Sequence, residues 1–170
     1  QSFDAISLDY NDQINWHIQY SYSNKVHRIF GPDAERYLPK SDPRYDYLKE
    51  RPVSEWGEHD LNGHFFNVTY KTENNLKLST YLYLIDNRDF DAVSNQTIGV
   101  RLSDEFKPGQ FKYRYGAEFA WQQDAYDNPN EYNAWFNLIE ASVQYRSHIF
   151  QLGQETMSHD QEIGFKTPYG

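Results

Sequence analysis

The sequence predicts an all-β protein, an antiparallel up-and-down transmembrane β-barrel with about eight strands in this chain. Three observations predict this fold class. Apolar and polar residues alternate along the chain, short turns alternate with long polar links, and aromatic residues make up 18% of a chain whose mean hydropathy is only -0.91. Disordered chains contain few aromatic residues, so the composition argues against disorder. A chain in which apolar and polar residues alternate has a mean hydropathy in the range of soluble proteins, although one surface of its strands is apolar.

Strand-like alternation occurs in segments that are rich in β-branched or aromatic residues. These segments cover residues 3–10, 14–28, 64–72, 76–85, 97–106, 111–123, 132–146 and 148–157. In the second segment, Ile14, Trp16 and Ile18 share one face, whereas His17 and Gln19 lie on the other. The second segment therefore predicts a strand with one apolar and one polar face.

The same division recurs in the fifth and sixth segments. The fifth places Ile98 and Val100 on one face and Arg101 on the other. The sixth gives the longest alternation, with one face made of Phe111, Tyr113, Tyr115, Ala117, Phe119 and Trp121 and the other made of Lys112, Arg114, Gly116, Glu118, Ala120 and Gln122. Faces of this kind do not fit the period of a helix.

The links between the segments alternate strictly between short and long. Residues 11–13, 73–75, 107–110 and 146–147 are short turns, whereas residues 31–63, 86–96 and 124–131 form longer, polar and acidic links. Transmembrane barrels have short periplasmic turns at one end and long extracellular loops at the other. A soluble β-sandwich has no reason to sort its links in this way.

Composition excludes several other classes of protein. No apolar run approaches the roughly 18 residues that a transmembrane helix needs. The net charge of -9 and the pI near 5.0 argue against a nucleic-acid partner. The chain has no cysteine, which excludes disulfides and thiolate metal sites. It starts at Gln1 without an initiator methionine or signal peptide, which is typical of a mature product or a fragment.

Aromatic residues lie near the ends of several predicted strands, as expected for girdles at two membrane interfaces. They are Trp16, Tyr22, Phe106, Phe111, Trp121 and Trp135. Strands are enriched in aromatic residues for other reasons as well, so ordinary strand propensity is an alternative explanation.

Several short stretches resemble the alginate export family of outer-membrane barrels. They are residues 26–33 (VHRIFGPD), 61–64 (LNGH), 81–86 (YLYLID), 94–102 (SNQTIGVRL), 127–129 (DNP) and 164–168 (GFKTP). No one of them is diagnostic, but they follow the order of the family over nearly the whole chain. The chain thus resembles the C-terminal half of such a barrel.

The resemblance implies a barrel of many more than eight strands, in which residues 1–170 form part of a single β-barrel domain. The partners that it implies are outer-membrane lipid and the remaining strands of the barrel. The long outer loop at residues 31–63, with its dense mixture of charged residues and tyrosines, departs from the family pattern. Relatives change specificity in their loops, so the solute does not follow from the resemblance alone.

If the aromatic-rich faces meet lipid, the charged side chains must line a pore, because a Lys or Arg on the lipid side would cost about 2–4 kcal/mol near the midplane. The predicted pore-lining residues are Lys71, Arg101, Lys112, Arg114, Glu118, Glu140, Gln144, Gln151 and Glu155. In one interpretation, the basic residues among them form a cationic track for an anionic solute such as a polyuronate. In the other, which neighbouring acidic and basic residues favour, they pair with Glu118, Glu140 and Glu155 in an ionic ladder that stiffens the wall.

The sequence predicts no catalytic residue, metal site or cofactor. Two acidic clusters could bind Ca²⁺ on outer loops, although a solvated acidic loop is the favoured interpretation. The clusters are Asp86, Asp89 and Asp91, and Asp124, Asp127 and Glu131. The six histidines lack zinc-site spacing, no nucleophile accompanies them in a triad pattern, and glycine-rich phosphate motifs are missing.

Together, the patterns and the resemblance favour an outer-membrane channel or porin of a Gram-negative bacterium. Its expected solutes are anionic, such as alginate or its oligomers, and enzymatic activity is not expected. One alternative is a soluble β-sandwich that binds or cleaves carbohydrate, because Tyr and Trp platforms also stack on sugars. Another is a small eight-stranded barrel with a filled interior that serves as an anchor or adhesin.

Overall fold

In the computed structural model, the described residues are 2–28, 41, 43, 52–53, 57–160 and 162–166. Their long strands are β1 (Ser2–Asn11), β2 (Trp16–His27), β3 (Glu58–Lys71), β4 (Lys77–Asn87), β5 (Asn95–Phe106), β6 (Phe111–Asp124), β7 (Asn133–Tyr145) and β8 (His148–Met157). Two short strands follow, β9 (His159–Asp160) and β10 (Ile163–Gly164). A single turn of 3₁₀ helix, Asp91–Val93, lies between β4 and β5. No helix in the described residues is long and apolar enough to cross a membrane.

The eight long strands form one antiparallel sheet in the order β1 to β8, so each strand pairs with its neighbours in sequence. The prediction of an all-β, antiparallel, up-and-down arrangement is therefore confirmed. The sheet is open, because β1 pairs only with β2 and β8 only with β7. The described strands do not form the two packed sheets of a sandwich, since only the β9–β10 hairpin lies outside the large sheet.

The strand boundaries match the predicted segments closely except at β3. The strand β8 has the predicted bounds, whereas β3 begins at Glu58 rather than at residue 64. Residues 58–63 join the sheet because they pair with both neighbouring strands: Leu61 lies opposite Asn87 of β4, and Asp60 lies opposite Lys25 of β2. The long link predicted at residues 31–63 is correspondingly shorter, and most of it lies outside the described residues.

The short turns all lie at one end of the sheet, which we call the short-turn end, and the long links lie at the other, the long-link end. Each short turn contains one residue with a left-handed backbone: Gln13 (φ 63°), Asn75 (φ 69°), Gly109 (φ 62°) and Arg146 (φ 53°). A left-handed residue lets the chain reverse within a few positions.

The turn between β1 and β2 is held by one carboxylate. Oδ1 of Asp12 accepts hydrogen bonds from the backbone N–H groups of Ile14, Asn15 and Trp16, each at 2.9 Å. These donors hold the pKa of Asp12 below its usual value, because they favour the charged form of the carboxyl group. The turn therefore satisfies its backbone donors internally.

The two faces of the sheet differ sharply in composition. One, which we call the apolar face, exposes large hydrophobic side chains from every long strand, among them Ile6, Trp16, Phe66, Leu82, Ile98, Phe119, Ile139 and Phe150. The other, the polar face, carries charged or amide side chains from every long strand, together with a small core at the long-link end. Fully buried apolar residues of this core are Val26, Leu61, Ile85, Ala120, Tyr132 and Ala134. The contrast holds between consecutive residues: Gln122 is 0% exposed, whereas its neighbour Trp121 is 41% exposed.

Candidate functional site

All of the predicted pore-lining residues lie on the polar face. Antiparallel partners share a face, and residues two apart in a strand do so as well. Arg101 lies opposite Glu118, Lys112 opposite Gln144, and Lys71 opposite Lys77. The alternation in the sequence therefore predicted that these side chains share one face of the sheet. It did not predict which residue lies opposite each of them.

Arg101 is the centre of a network that crosses four strands. Its Nη1 donates to Oε2 of Glu118 at 2.7 Å, and its Nη2 donates to Oε1 of Glu140. The hydroxyl of Tyr81 donates to Oε1 of Glu118 at 2.7 Å. The network thus links β4, β5, β6 and β7, and it neutralises Arg101 with two carboxylates.

Two glycines give these side chains room to cross a neighbouring strand. Gly99 lies opposite Tyr81, and a Cβ atom on Gly99 would lie only 2.1 Å from the Tyr81 ring. A Cβ atom on Gly116 would lie 3.1 Å from Oε1 of Glu140 and 3.4 Å from Nη2 of Arg101. The Tyr81 ring therefore passes over β5 to reach Glu118 because residue 99 has no side chain.

A second charge cluster surrounds Glu105, nearer the short-turn end. Its Oε2 accepts from Nε of Arg114 at 2.9 Å and lies 2.6 Å from Nζ of Lys112, and its Oε1 lies 3.3 Å from Nζ of Lys107. One carboxylate thus faces three cations. Sequence reasoning missed Glu105, although its parity with Arg101 in β5 would have placed it on the polar face.

Other predicted residues remain outside both clusters. Lys71 faces Lys77 directly across the β3–β4 hairpin, and among the described residues no carboxylate lies within 4 Å of either ammonium group. Gln144 donates to the backbone oxygen of Arg146 at 3.2 Å. Glu155 lies opposite Leu138 at the exposed edge strand β8 and forms no ion pair within the described part of the chain.

A cavity of about 770 Å³ opens on the polar face at the short-turn end. Its lining includes the cationic residues Lys71, Lys77, Arg101, Lys107 and Arg114 and the acidic residues Glu105 and Glu140. Asp104 also borders the cavity, but its carboxylate lies on the apolar face, where it accepts from the hydroxyl of Tyr115 at 3.1 Å. Two carboxylates neutralise Arg101, whereas no carboxylate in the described residues lies beside the two opposed lysines, so the cavity presents excess positive charge. Such a lining can attract carboxylate or phosphate groups.

The long-link end of the polar face is covered instead of open. There the buried amide of Gln122 donates to Oγ1 of Thr97 and to the backbone oxygen of Lys166, both at 2.8 Å. The nearby Tyr132 is also buried, and burial together with the charge of Asp124 raises its pKa to about 12. Burial lowers the pKa of Lys166. Sequence reasoning assigned Gln122 to this face but could not identify the distant segment that it contacts.

The acidic link residues engage neighbouring groups of the protein. Oδ2 of Asp89 accepts from the backbone N–H of Asp60 at 2.7 Å, and Oδ1 of Asp124 accepts from that of Tyr132 at 2.9 Å. Asp86 lies 3.8 Å from Nε of Arg88. Across the described ranges, no three histidine or carboxylate side chains converge as a metal-ion group would.

Protein-family models, curated proteins and solved structures give no match to this chain. The resemblance to the alginate export family therefore stays a prediction made from the residues themselves.

Proposed function

We propose that this chain forms part of the wall of an outer-membrane channel in a Gram-negative bacterium and that the channel passes anionic solutes. The observation that carries the proposal is the opposite character of the two faces of the sheet. A continuous set of large apolar side chains is exposed on one face, whereas the other holds a hydrogen-bonded network of charges. The wall of an outer-membrane barrel meets both requirements, because lipid solvates its apolar outer face and water solvates its polar inner face.

The apolar face is too extensive for a surface that contacts water. Soluble monomers rarely expose contiguous apolar patches larger than a few hundred Å². Here exposed Ile, Leu, Val, Phe and Trp side chains recur on every second residue of neighbouring strands, as in Ile98, Val100 and Leu102 of β5. Lipid is the solvent that such a face fits best.

The height of the apolar face supports the same reading. On β6, Phe111 lies at the short-turn end and Trp121 at the long-link end, and both are exposed. The roughly ten residues between them span about 33 Å along a strand. A tilt of about 40° shortens this distance to about 25 Å, which is the height of the apolar band in outer-membrane barrels.

The open edges are consistent with a larger barrel. All ten residues of β1 and all ten of β8 are exposed, and neither strand contains a proline that would block pairing. Unpaired backbone groups cost several kcal/mol each in hydrocarbon, so both edges must be paired in a membrane, with further strands or with each other. The remaining strands of a larger barrel would supply this pairing.

The charge of the open cavity suggests the class of solute. The two opposed lysines, Lys71 and Lys77, add positive charge that no neighbouring carboxylate balances among the described residues. An acidic polysaccharide such as alginate, or its oligomers, has carboxylates at the spacing of sugar units and would meet these cations in turn.

Planar-bilayer recordings test the proposal. We expect the assembled channel that contains this chain to conduct, and we expect Lys71→Gln combined with Lys77→Gln to lower its anion-to-cation permeability ratio by about twofold or more. Lys25→Gln is the matched control, because Lys25 lies outside the cavity and 3.4 Å from Glu58. An assembled channel that does not conduct, or a double variant with unchanged selectivity, would contradict the proposal.

A further inference from the structure

The chain turns back over the polar face after β8. The backbone N–H of Ser158 donates to the oxygen of Trp135 at 2.8 Å, and its Oγ accepts from the N–H of Trp135 at 2.7 Å. The hairpin of β9 and β10 follows, and the N–H of Phe165 donates to the oxygen of Ser158 at 3.1 Å. These bonds hold Ser158 and Phe165 close to the start of β7, and we call residues 158–160 and 162–166 the covering segment.

Gln122, near the long-link end of β6, binds the backbone of Lys166 at the C-terminal end of this segment. Its Nε2 donates to the backbone oxygen of Lys166 at 2.8 Å, and its Oε1 accepts from the backbone N–H of Lys166 at 2.8 Å. The side chain of Gln122 is fully buried, on the polar face of β6. The two hydrogen bonds between the side-chain amide of Gln122 and the backbone of Lys166 hold the segment in contact with the polar face.

Side chains extend the segment further across the sheet. The ring of Phe165 lies 5.7 Å from that of Phe136 on β7. Nζ of Lys166 donates to the backbone oxygen of Ala92 at 3.3 Å, in the link between β4 and β5, and lies 5.5 Å from the centre of the Tyr132 ring. The segment therefore crosses the polar face from β7 to the β4–β5 link.

The ammonium group of Lys166 has no carboxylate partner among the described residues. Within the described part of the chain, no carboxylate oxygen lies within 4 Å of its ammonium group, whose neighbours are a carbonyl oxygen and an aromatic ring. A carbonyl and a ring stabilise a cation without neutralising it. An anion that reached this level of the polar face would find an uncompensated positive charge.

We propose that residues 158–160 and 162–166 form the constriction of the pore at its long-link end and that Lys166 is the residue that selects anions there. The inference rests on the proposed channel function and adds a position and a residue to it. The constriction lies at the opposite end of the polar face from the cavity lined by Lys71 and Lys77, so a solute would meet two separate cationic sites.

The selectivity of the constriction can be tested by chemical modification, since the chain has no native cysteine. In Lys166→Cys, we expect the anion-to-cation permeability ratio to fall about twofold to fivefold. A thiol reagent that adds a positive group should restore the ratio, and one that adds a negative group should lower it further. The same reagents on Lys25→Cys, outside the polar face, should change it much less.

The position of the segment is tested separately by cross-linking. Ala92→Cys combined with Lys166→Cys should be joined within one molecule by a short bifunctional thiol reagent, whereas Ala92→Cys with Lys107→Cys, at the opposite end, should not. A conducting chain in which the first pair fails to join, or in which charge at residue 166 leaves selectivity unchanged, would overturn this inference alone. An assembled channel that inserts into bilayers without conducting would overturn the channel function and this inference with it.

Discussion

At the scale of single residues, the polar face depends on side chains that reach across strands. Tyr81 contacts Glu118 two strands away because Gly99, on the intervening strand, has no side chain to block the Tyr81 ring. Arg101 reaches Glu140 beside Gly116 in the same manner. The glycines thus determine which polar groups can pair.

We expect Gly99→Ala to destabilise the protein by about 1–3 kcal/mol, because the new Cβ atom would displace the Tyr81 ring and break its hydrogen bond to Glu118. The loss would outweigh the gain in strand stability from removing a glycine. Unfolding in urea from detergent micelles measures the difference.

Gly153→Ala is the control for this substitution. A Cβ atom on Gly153 would lie 3.6 Å from its nearest neighbour, which is an ordinary contact. We expect this variant to be as stable as the parent or slightly more stable. Equal effects of the two substitutions would refute the role given to Gly99.

Alternation in the sequence predicted which residues share the polar face, but not which of them pair. It placed Arg101, Glu118 and Glu140 together, and these three do form a network. It missed Tyr81, because the predicted polar set was chosen by charge and amide type. It also missed Glu105, although Glu105 is charged and shares the parity of Arg101 on β5. The reach of a side chain over a glycine depends on register, which a single strand does not reveal.

At the scale of elements, the short turns were predictable because their residues favour reversal of the chain. Asn75 and Gly109 adopt left-handed backbone conformations that suit these residue types. The start of β3 was not predictable in the same way. Residues 58–63 join the sheet through pairing with β2 and β4, and their own composition is typical of a turn.

Two consecutive residues of β7 lie on opposite faces of the sheet and can test which solvent meets each face. Ile139 is 59% exposed on the apolar face, and Leu138 lies on the polar face opposite Glu118 and Glu155. We expect Ile139→Arg to cost about 2–4 kcal/mol in a lipid bilayer, because it places a charge near the middle of the hydrocarbon. Leu138→Arg should cost much less, since its guanidinium would meet two carboxylates. Equilibrium unfolding in lipid vesicles compares the two variants.

The opposite ranking would identify water on the apolar face. An arginine at an exposed position of a soluble sheet is nearly neutral. A tolerated Ile139→Arg, combined with a destabilising Leu138→Arg, would therefore contradict the assignment of lipid to the apolar face.

At the scale of the whole molecule, the two ends of the polar face differ. The short-turn end opens into a cavity with excess positive charge, and the long-link end is covered by residues 158–160 and 162–166. Sequence patterns predicted the eight strands and the division into short-turn and long-link ends. They did not predict the covered end, because it depends on bonds between Gln122 and Lys166, which are 44 residues apart. They also did not determine whether these strands close into a barrel, and the sheet is open.

The most direct test follows single cysteines along β6, from residue 112 to residue 119 apart from Gly116, each with a fluorescent label in lipid vesicles. Brominated lipid should quench the label at Tyr113, Tyr115, Ala117 and Phe119, and a water-soluble quencher should act at Lys112, Arg114 and Glu118. This alternation with a period of two is the result that a lipid-facing apolar side and a water-filled polar side require. Labels that water reaches equally at both sets of positions, or the reverse alternation, would contradict the account.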